Sequence, residues 1–507
     1  MSIATDITRI QNAKTAIKTA IENKGVTVPE STKIDGYSAL IDEIETGGGS
    51  KNEPITITAN GVYTAPNGVG YSPVNVNLQF EGNKFQYFIN NHQGDGQPSC
   101  YEVFTDFKGT DLSPIVETID TSECTDFGKS FYGCTNLTSI PLLNTTNGTK
   151  FSSMYYNCSK CTTFPSINTS KGTNFSSMHK KCSALRYYPS YDLSNAENTS
   201  YMFDECGRIK GDFTFDLPKC TNAQDMFSAE GDITDLEATL TIKNTNKLTT
   251  MEGFCQRHGF KEVIIESLPL LESMSYSFSA WSNLPIQYNK LILPDLPSIK
   301  EMSCAFKNCT INEQFTIGDF THCTNLYETF MNFTLGNNIA NKEIIIGNLP
   351  NVSNLSMSFY NSNFEHIKIG NIEKCTYGSS TFENCKKLKK LEVGSLLDKF
   401  KPSYFARGCP LLEEVILENI SGGSDWFATD YSLKKLVIKT METLPTISSN
   451  YFASCYHFTG TTDATYNPQG LKDGRIYVPD DKVEELKAAT NWSVYADIIV
   501  PLSTLVE

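Results

Sequence analysis

The chain has 507 residues and a formal net charge of −15. That length is too great for one compact core, and the acidic excess excludes a nucleic-acid backbone as main partner, since such binding is driven by Lys and Arg displacing counterions. Residues 1–30 lack the charged start and unbroken apolar stretch of a signal peptide, and no apolar span of about 18 residues occurs, so neither that export route nor membrane insertion is expected.

At the N-terminus Ile3, Ile7, Ile10, Ile17 and Ile21 step by 4, 3, 7 and 4, with Lys14 as the one interruption. The spacing predicts an amphipathic helix. Isoleucine at both core positions of a heptad favours three or more strands over two, and the alternative is docking of the helix on another surface. With the short amphipathic segment "STKIDGYSALIDEI" behind it, residues 1–46 are expected to form a helical attachment and oligomerisation segment, a homotrimer being favoured. Residues 47–54 read as a Gly-rich linker. Residues 55–80 carry two alternating runs around Asn67-Gly68, a hairpin-like β unit. The phrases "ITRIQNAKTAIKTAIENKGV", "KIDGYSALIDEI" and "NGVYTAPNGVGYSPVNV" resemble the virion-proximal ends of phage tail fibres and related baseplate-associated proteins. The resemblance spans about residues 1–80 and implies an attachment end joined to a distal recognition end. Residues 81–126, with Phe85, Tyr87, Phe88 and Phe104, are expected to act as an N-terminal cap and adaptor for the region that begins at residue 127.

From residue 127 the chain repeats itself. Cys134, Cys158, Cys182 and Cys206 are each 24 residues apart, and the same step links Met154, Met178, Met202 and Met226. It also carries Phe131 to Tyr155, His179, Phe203 and Phe227, so His179 reads as an occupant of an aromatic position. Pro141, Pro165 and Pro189 keep the register too. Cys158 and Cys161 form Cys-x-x-Cys only because two different repeat positions coincide there. A zinc site needs four convergent ligands and no second pair is supplied, so these thiols read as core filler.

Farther on, apolar residues fall two apart at Val263/Ile265, Leu291/Leu293, Phe315/Ile317, Ile344/Ile346, Ile367/Ile369, Leu391/Val393, Val415/Leu417 and Leu436/Ile438, starting 21 to 29 residues apart. Two-residue alternation marks a strand with one buried face, and its regular recurrence means one strand per coil of a solenoid. The burial available to one coil falls short of the backbone entropy of ordering it, so the coils must stack. Stacked strands lie about 4.8 Å apart, near enough for neighbouring thiols to bond, although side chains pointing the same way favour reduced thiols. The phrases "MFDECGRIKGDFTFDL" and "SFYGCTNLTSIPLL" resemble BspA-like leucine-rich repeats, over about residues 127–460. The resemblance implies a solenoid used for recognition, with no catalytic residues to transfer. The fold class expected is therefore a leucine-rich-repeat-like solenoid with one β-strand per coil of about 24 residues. Residues 461–507 should close it with a strand at Ile476–Val478, a helix through Val483 and Leu486, and Trp492 sealing the last coil.

No His-Glu-x-x-His, Gly-x-Ser-x-Gly, phosphate loop or dinucleotide fingerprint occurs, and the six histidines are scattered. No catalytic, metal or cofactor residues are assigned, and the chain is read as a binding protein, not an enzyme. Candidate surface contacts are Trp281 and Trp426, which could stack on sugar rings, and Ile345 and Ile416, which belong with Ile264, Ile292 and Val437 to an apolar stripe facing away from the inward strand residues. That stripe is either covered by other parts of the same coils or is a contact surface. The expected function is a structural virion protein of a tailed bacteriophage, its N-terminal region bound to other virion proteins and its solenoid to a host surface protein or glycan. The alternatives are a bacterial cell-surface adhesin or interaction protein and, less favoured, a glycan-degrading tailspike.

Overall fold

A computed structural model describes residues 3–23, 28, 84–91, 98–207, 210–231, 237–281, 285–397 and 399–506. The expected linker and β unit, at 47–80, lie outside the described residues. A helix spans Ile3–Glu22. The side chains of Ile3, Ile7 and Ile10 are outside the described set, while Ile17 is half-buried and Ile21 buried.

The solenoid begins at Ser99, and its rungs are legible in one row of parallel bridges. Ser99, Asp126, Lys150, Asn174, Asn198, Asn222, Thr250, Ser273, Glu301, Asn325, Asn354 and Tyr377 are each bridged to the next. After every such residue the backbone makes a turn ladder. From Phe151, alternate N–H groups (Phe151, Ser153, Tyr155, Asn157) donate to carbonyls of the next coil (Asn174, Ser176, Met178, Lys180) at 2.8 Å. The intervening ones fold back within the coil, Met154 to Phe151, Tyr156 to Ser153 and Cys158 to Tyr155. This alternation places Ser153 and Asn157 in the left-handed region, with φ of 54° and 57°. The equivalent pairs 177/181, 201/205, 304/308, 328/332, 357/361 and 380/384 do the same. Asparagine recurs at the later member because its short polar side chain tolerates that conformation: Asn157, Asn308, Asn332, Asn361 and Asn384. At the bridge residue itself asparagine has a different use. The Oδ1 atoms of Asn174, Asn198, Asn222, Asn325 and Asn354 accept the N–H two residues on at 2.9–3.1 Å, an Asx turn that starts those five ladders.

Strands form on another side of the coil, all parallel. One sheet holds, in chain order, β1 (Gly211–Asp216), β2 (Ala238–Lys243), β3 (Glu262–Ile265), β4 (Ile286–Ile292), β5 (Cys309–Thr316) and β6 (Thr334–Leu335). A second holds β7 (Glu343–Ile346), β8 (His366–Ile369), β9 (Lys390–Val393), β10 (Glu414–Leu417), β11 (Lys435–Ile438), β12 (Arg475–Val478) and β13 (Ile499–Pro501). Between Ser99 and Cys206 no strand forms, and one strand per coil holds only from Gly211 onward. The cause is in the sequence: Pro141, Pro165 and Pro189 occupy the position that Phe213 fills in β1, and a proline has no N–H for the ladder. The alternation places most apolar pairs correctly, with Val263/Ile265, Leu291/Leu293, Ile344/Ile346, Ile367/Ile369, Leu391/Val393, Val415/Leu417 and Leu436/Ile438 buried. Phe315 and Ile317 are only half-buried, because β5 starts early and spends its buried positions on Cys309 and Ile311.

The interior is one continuous cluster from Ile89 to Ile499. Aromatic rings run through it as a stack: Phe104, Phe131, Tyr155, His179, Phe203 and Phe227 succeed one another at centroid distances of 5.2, 5.7, 5.0, 5.3 and 5.8 Å. A parallel stack joins Phe127, Phe151 and Phe175 at 5.8 and 5.3 Å. Gly148 and Gly172 lie against these rings so closely that a Cβ there would collide with Phe151 and Phe175. At the C-terminal end Trp492 is fully buried, its indole N–H donating to the Pro445 carbonyl at 2.9 Å.

Candidate recognition face

All sixteen cysteines are free and buried. The repeat thiols occupy the position eight residues after each bridge residue, and each makes the same contact. Cys134, Cys158, Cys182 and Cys206 donate to the carbonyls of Phe104, Phe131, Tyr155 and His179, one coil back, at 3.1–3.2 Å. Cys385, Cys409 and Cys455 repeat it on Phe359, Phe382 and Phe427. The thiols are thus lined up along the axis as donors, not as neutral filler. Met154, Met178 and Met202 are buried beside them. Burial pushes the Cys182 and Cys206 thiols well above their ordinary range. A thiol in that state is a poor nucleophile.

Other residues take the same position and expose its rules. His258 does, and its Nδ1 lies 3.0 Å from the Phe227 carbonyl, the contact a thiol makes elsewhere. Asp430 follows the left-handed pair 425/429 as Cys158 follows 153/157; one carboxyl oxygen accepts the Cys409 N–H at 2.7 Å, the other is buried without a partner, and burial holds the carboxyl well above the usual range. Trp281 is another, eight residues after the bridge residue Ser273. Its indole stands outside, 69% exposed, with the Arg257 guanidinium 6.0 Å from the ring, whereas Phe333, eight residues after Asn325, is fully buried. Register would have placed Trp281 inside, because it shares that position.

The other surface candidates divide. Trp426 is not a surface residue: it is fully buried, stacked on Tyr451 at 5.5 Å, with its N–H donated to the Pro402 carbonyl at 2.9 Å. Ile345 is 62% exposed on β7, the edge of the second sheet. Ile416, Ile264 and Ile292 are half-buried, and Val437 is 2% exposed, so the outward apolar stripe is largely covered.

What the outer face of β7–β11 presents instead is charge, which apolar patterning does not reveal. Glu343, His366, Lys390, Glu414 and Lys435 lie side by side in register, with Lys368 and Glu392 in the next row. His366 bridges Glu343 and Glu392 at 3.4 and 3.0 Å. Lys390 reaches Glu392 and Glu414 at 3.1 and 3.3 Å, and Lys435 reaches Glu414 at 2.8 Å. Burial opposes ionisation of Glu392, but the hydrogen bond and charge of Lys390, with Lys368 beside it, outweigh that and keep its carboxyl below the ordinary range. On the turn side, Tyr132 stacks on Tyr156 at 4.5 Å, Asn361, Asn332 and Asn308 chain their amides at 2.8 and 2.7 Å, and Arg407 lies over Tyr404 at 4.0 Å while pairing with Glu383 at 2.7 Å. Among the described residues no group of three or more His, Cys, Asp or Glu is placed to hold a metal ion, and no helix is long and apolar enough to cross a membrane.

Two family descriptions match parts of the chain. Residues 98–215 and 162–242 match "Mycoplasma protein of unknown function, DUF285", and residues 341–459 match "BspA type Leucine rich repeat region (6 copies)". The first match covers the coils that have prolines in the strand position together with β1 and most of β2, the second covers β7–β11, and β3–β6 lie between the two. No curated protein and no solved structure matches the chain. Repeats of the BspA type point to a surface or protein-interaction role.

Proposed function

We propose that the chain is a recognition solenoid, a binding protein without turnover, whose outer rows contact a protein or glycan on a cell surface. The observation that carries this is the division of residues between the two sides of the coil. The sixteen thiols, His179, His258 and Asp430 are turned inward, while the outside carries aromatic and amide rows and a row in which His366, Lys390 and Lys435 are paired with glutamates. The exposed indole of Trp281 beside Arg257 offers a flat ring and a cation together, a combination suited to sugar or peptide. Binding of labelled protein to host cells should fall at least about tenfold on Trp281→Ala, a change that removes no interior contact; unchanged binding would exclude that spot. Incubation with capsular polysaccharide should release no new reducing ends, and release would overturn the non-enzyme reading.

Within that reading we place the chain on a tail appendage of a tailed bacteriophage, with residues 1–46 as the attachment and trimerisation segment and the virion as its location. The support is the resemblance of about residues 1–80 to virion-proximal fibre ends. A bacterial surface adhesin is the second reading, supported by the BspA-type match at 341–459. Antibody labelling of phage particles and of host cells separates the two. Light scattering of the full chain and of one lacking residues 1–46 tests the trimer, since a full chain at the mass of one copy, or a shortened chain that is still trimeric, would refute it.

A further inference from the structure

Cys100 and Cys124 turn their sulfurs on one another; Cys158 with Cys134 and Cys161, and Cys385 with Cys409, also interact through their side chains, but those thiols donate to a carbonyl as well. Each is fully buried, they belong to adjacent coils 24 residues apart, and their Sγ atoms are 2.9 Å from one another. Unbonded carbon atoms settle at roughly 3.5–4.0 Å, and sulfur is the larger atom. The ladder thiols point at a carbonyl of the preceding coil, whereas this pair points at itself. The same pair of positions is bridged by a polar contact of different chemistry farther on. Cys100 comes one residue after the bridge residue Ser99 and Cys124 two residues before Asp126; Thr199 and Cys220 stand in the same relation to Asn198 and Asn222, their Oγ1 and Sγ 3.4 Å apart. The place in the fold also matters. Ser99 opens the ladder, and among the described residues its other side is met by the helix Lys84–Asn91, through Ser99 N–H to the Ile89 carbonyl at 3.1 Å and Phe85 against Phe104 at 5.3 Å.

We infer that Cys100 and Cys124 are a disulfide site that locks the first coil to the second when the chain folds in the presence of a small-molecule disulfide. One thiolate attacks the oxidant, forming a mixed disulfide and releasing one thiolate. The second cysteine attacks that mixed disulfide, the new S–S bond forms, and a second small thiolate leaves. The two cysteine protons end on the two released thiols, so the oxidant is reduced by the two electrons the cysteines lose. Burial raises the Cys100 thiol well above its ordinary range, which closes the finished fold to exchange, so the bond is set during folding. Ordering is gained at the opening rung of the ladder, and a closed loop removes freedom from the unfolded chain.

The test uses the full chain refolded with either reduced or oxidised glutathione, then denatured and alkylated. The oxidised sample should show two fewer alkylated thiols than the sixteen in the sequence, a linked peptide joining residues 100 and 124, and a higher urea midpoint than the reduced sample. Cys100→Thr rebuilds the Thr199/Cys220 pair, so it should fold with an unchanged circular dichroism spectrum and lose the difference between the two samples. Sixteen alkylated thiols after oxidative refolding would overturn the inference. So would a bond in another pair, such as Cys134 with Cys158 or Cys385 with Cys409, or a redox-dependent midpoint that persists in Cys100→Thr.

Discussion

His179 sits between Tyr155 and Phe203 in the ring stack, with Nε2 2.9 Å from the Tyr191 hydroxyl and Nδ1 buried without a partner. Burial pushes it down to about 3, and pushes His258 to about 4 against the pull of the Phe227 carbonyl. An unfolded histidine takes its proton near 6.5. Below that pH the unfolded chain therefore binds more protons than the folded one, and stability, complete above 6.5, is lost as pH falls toward the folded values. Phenylalanine suits the site, as Phe203 and Phe227 show, so His179→Phe should flatten the fall in urea midpoint between about pH 6.5 and 4. Asp430 acts with the opposite sign. Its folded carboxyl titrates above the unfolded value of about 3.9, so its stability is complete below that pH and is lost as pH rises toward the folded value. The groups around it, Cys385, Cys409 and Cys455, are thiols that do not supply a compensating positive charge. Asp430→Asn keeps an acceptor for the Cys409 N–H and should raise stability at pH 7 by about 1–3 kcal/mol, read as a higher midpoint with no such gain at pH 4.

Elements of this chain were legible where side chains define them. The alternating pairs from Val263 to Ile438 announce strands, and the 24-residue step from Cys134 to Cys206 announces coils. The turn ladder left no comparable mark, because backbone groups make it and because its left-handed positions hold Ser153, Lys181, Tyr201 and Glu328 as readily as glycine. The donor role of the thiols was hidden for the same reason: a cysteine that fills space and one that satisfies a carbonyl look alike in sequence. Trp426 illustrates the limit for single residues, since its burial depends on the Pro402 carbonyl and the Tyr451 ring, 24 and 25 residues away. The donor role can be measured. Cys182→Ala removes both volume and the bond to Tyr155 and should cost about 1–3 kcal/mol, whereas Cys182→Ser keeps a hydroxyl donor and should retain more stability in the same urea titration.

At the scale of the molecule, the 24-residue coil is the unit of cooperation. Phe175 can succeed Lys150 as Phe151 does, since Lys150 and Asn174 are bridged equivalents. Deleting residues 151–174 should therefore leave a folded, cooperative protein, shorter by about 4.8 Å, with an unchanged spectrum per residue and a modestly lower midpoint. Removing half that length, residues 163–174, puts Phe175 out of step with every ring above it and should give loss of cooperative unfolding. The register that makes coils exchangeable also made the architecture readable, whereas the outer charge row from Glu343 to Lys435 emerges only once the strands are laid side by side.

The bonds between coils, from Phe151 to Asn174 and onward, run along the axis of the rod, while the covalent chain runs around it. Tension applied at the two ends therefore loads rungs singly, from whichever end yields first, and does not shear many at once. Each released turn of 24 residues would give roughly 80 Å of slack, at about 3.3–3.6 Å per extended residue, and could wind back when the load drops. A tether that lengthens stepwise keeps its grip through jolts that would tear a stiff one loose.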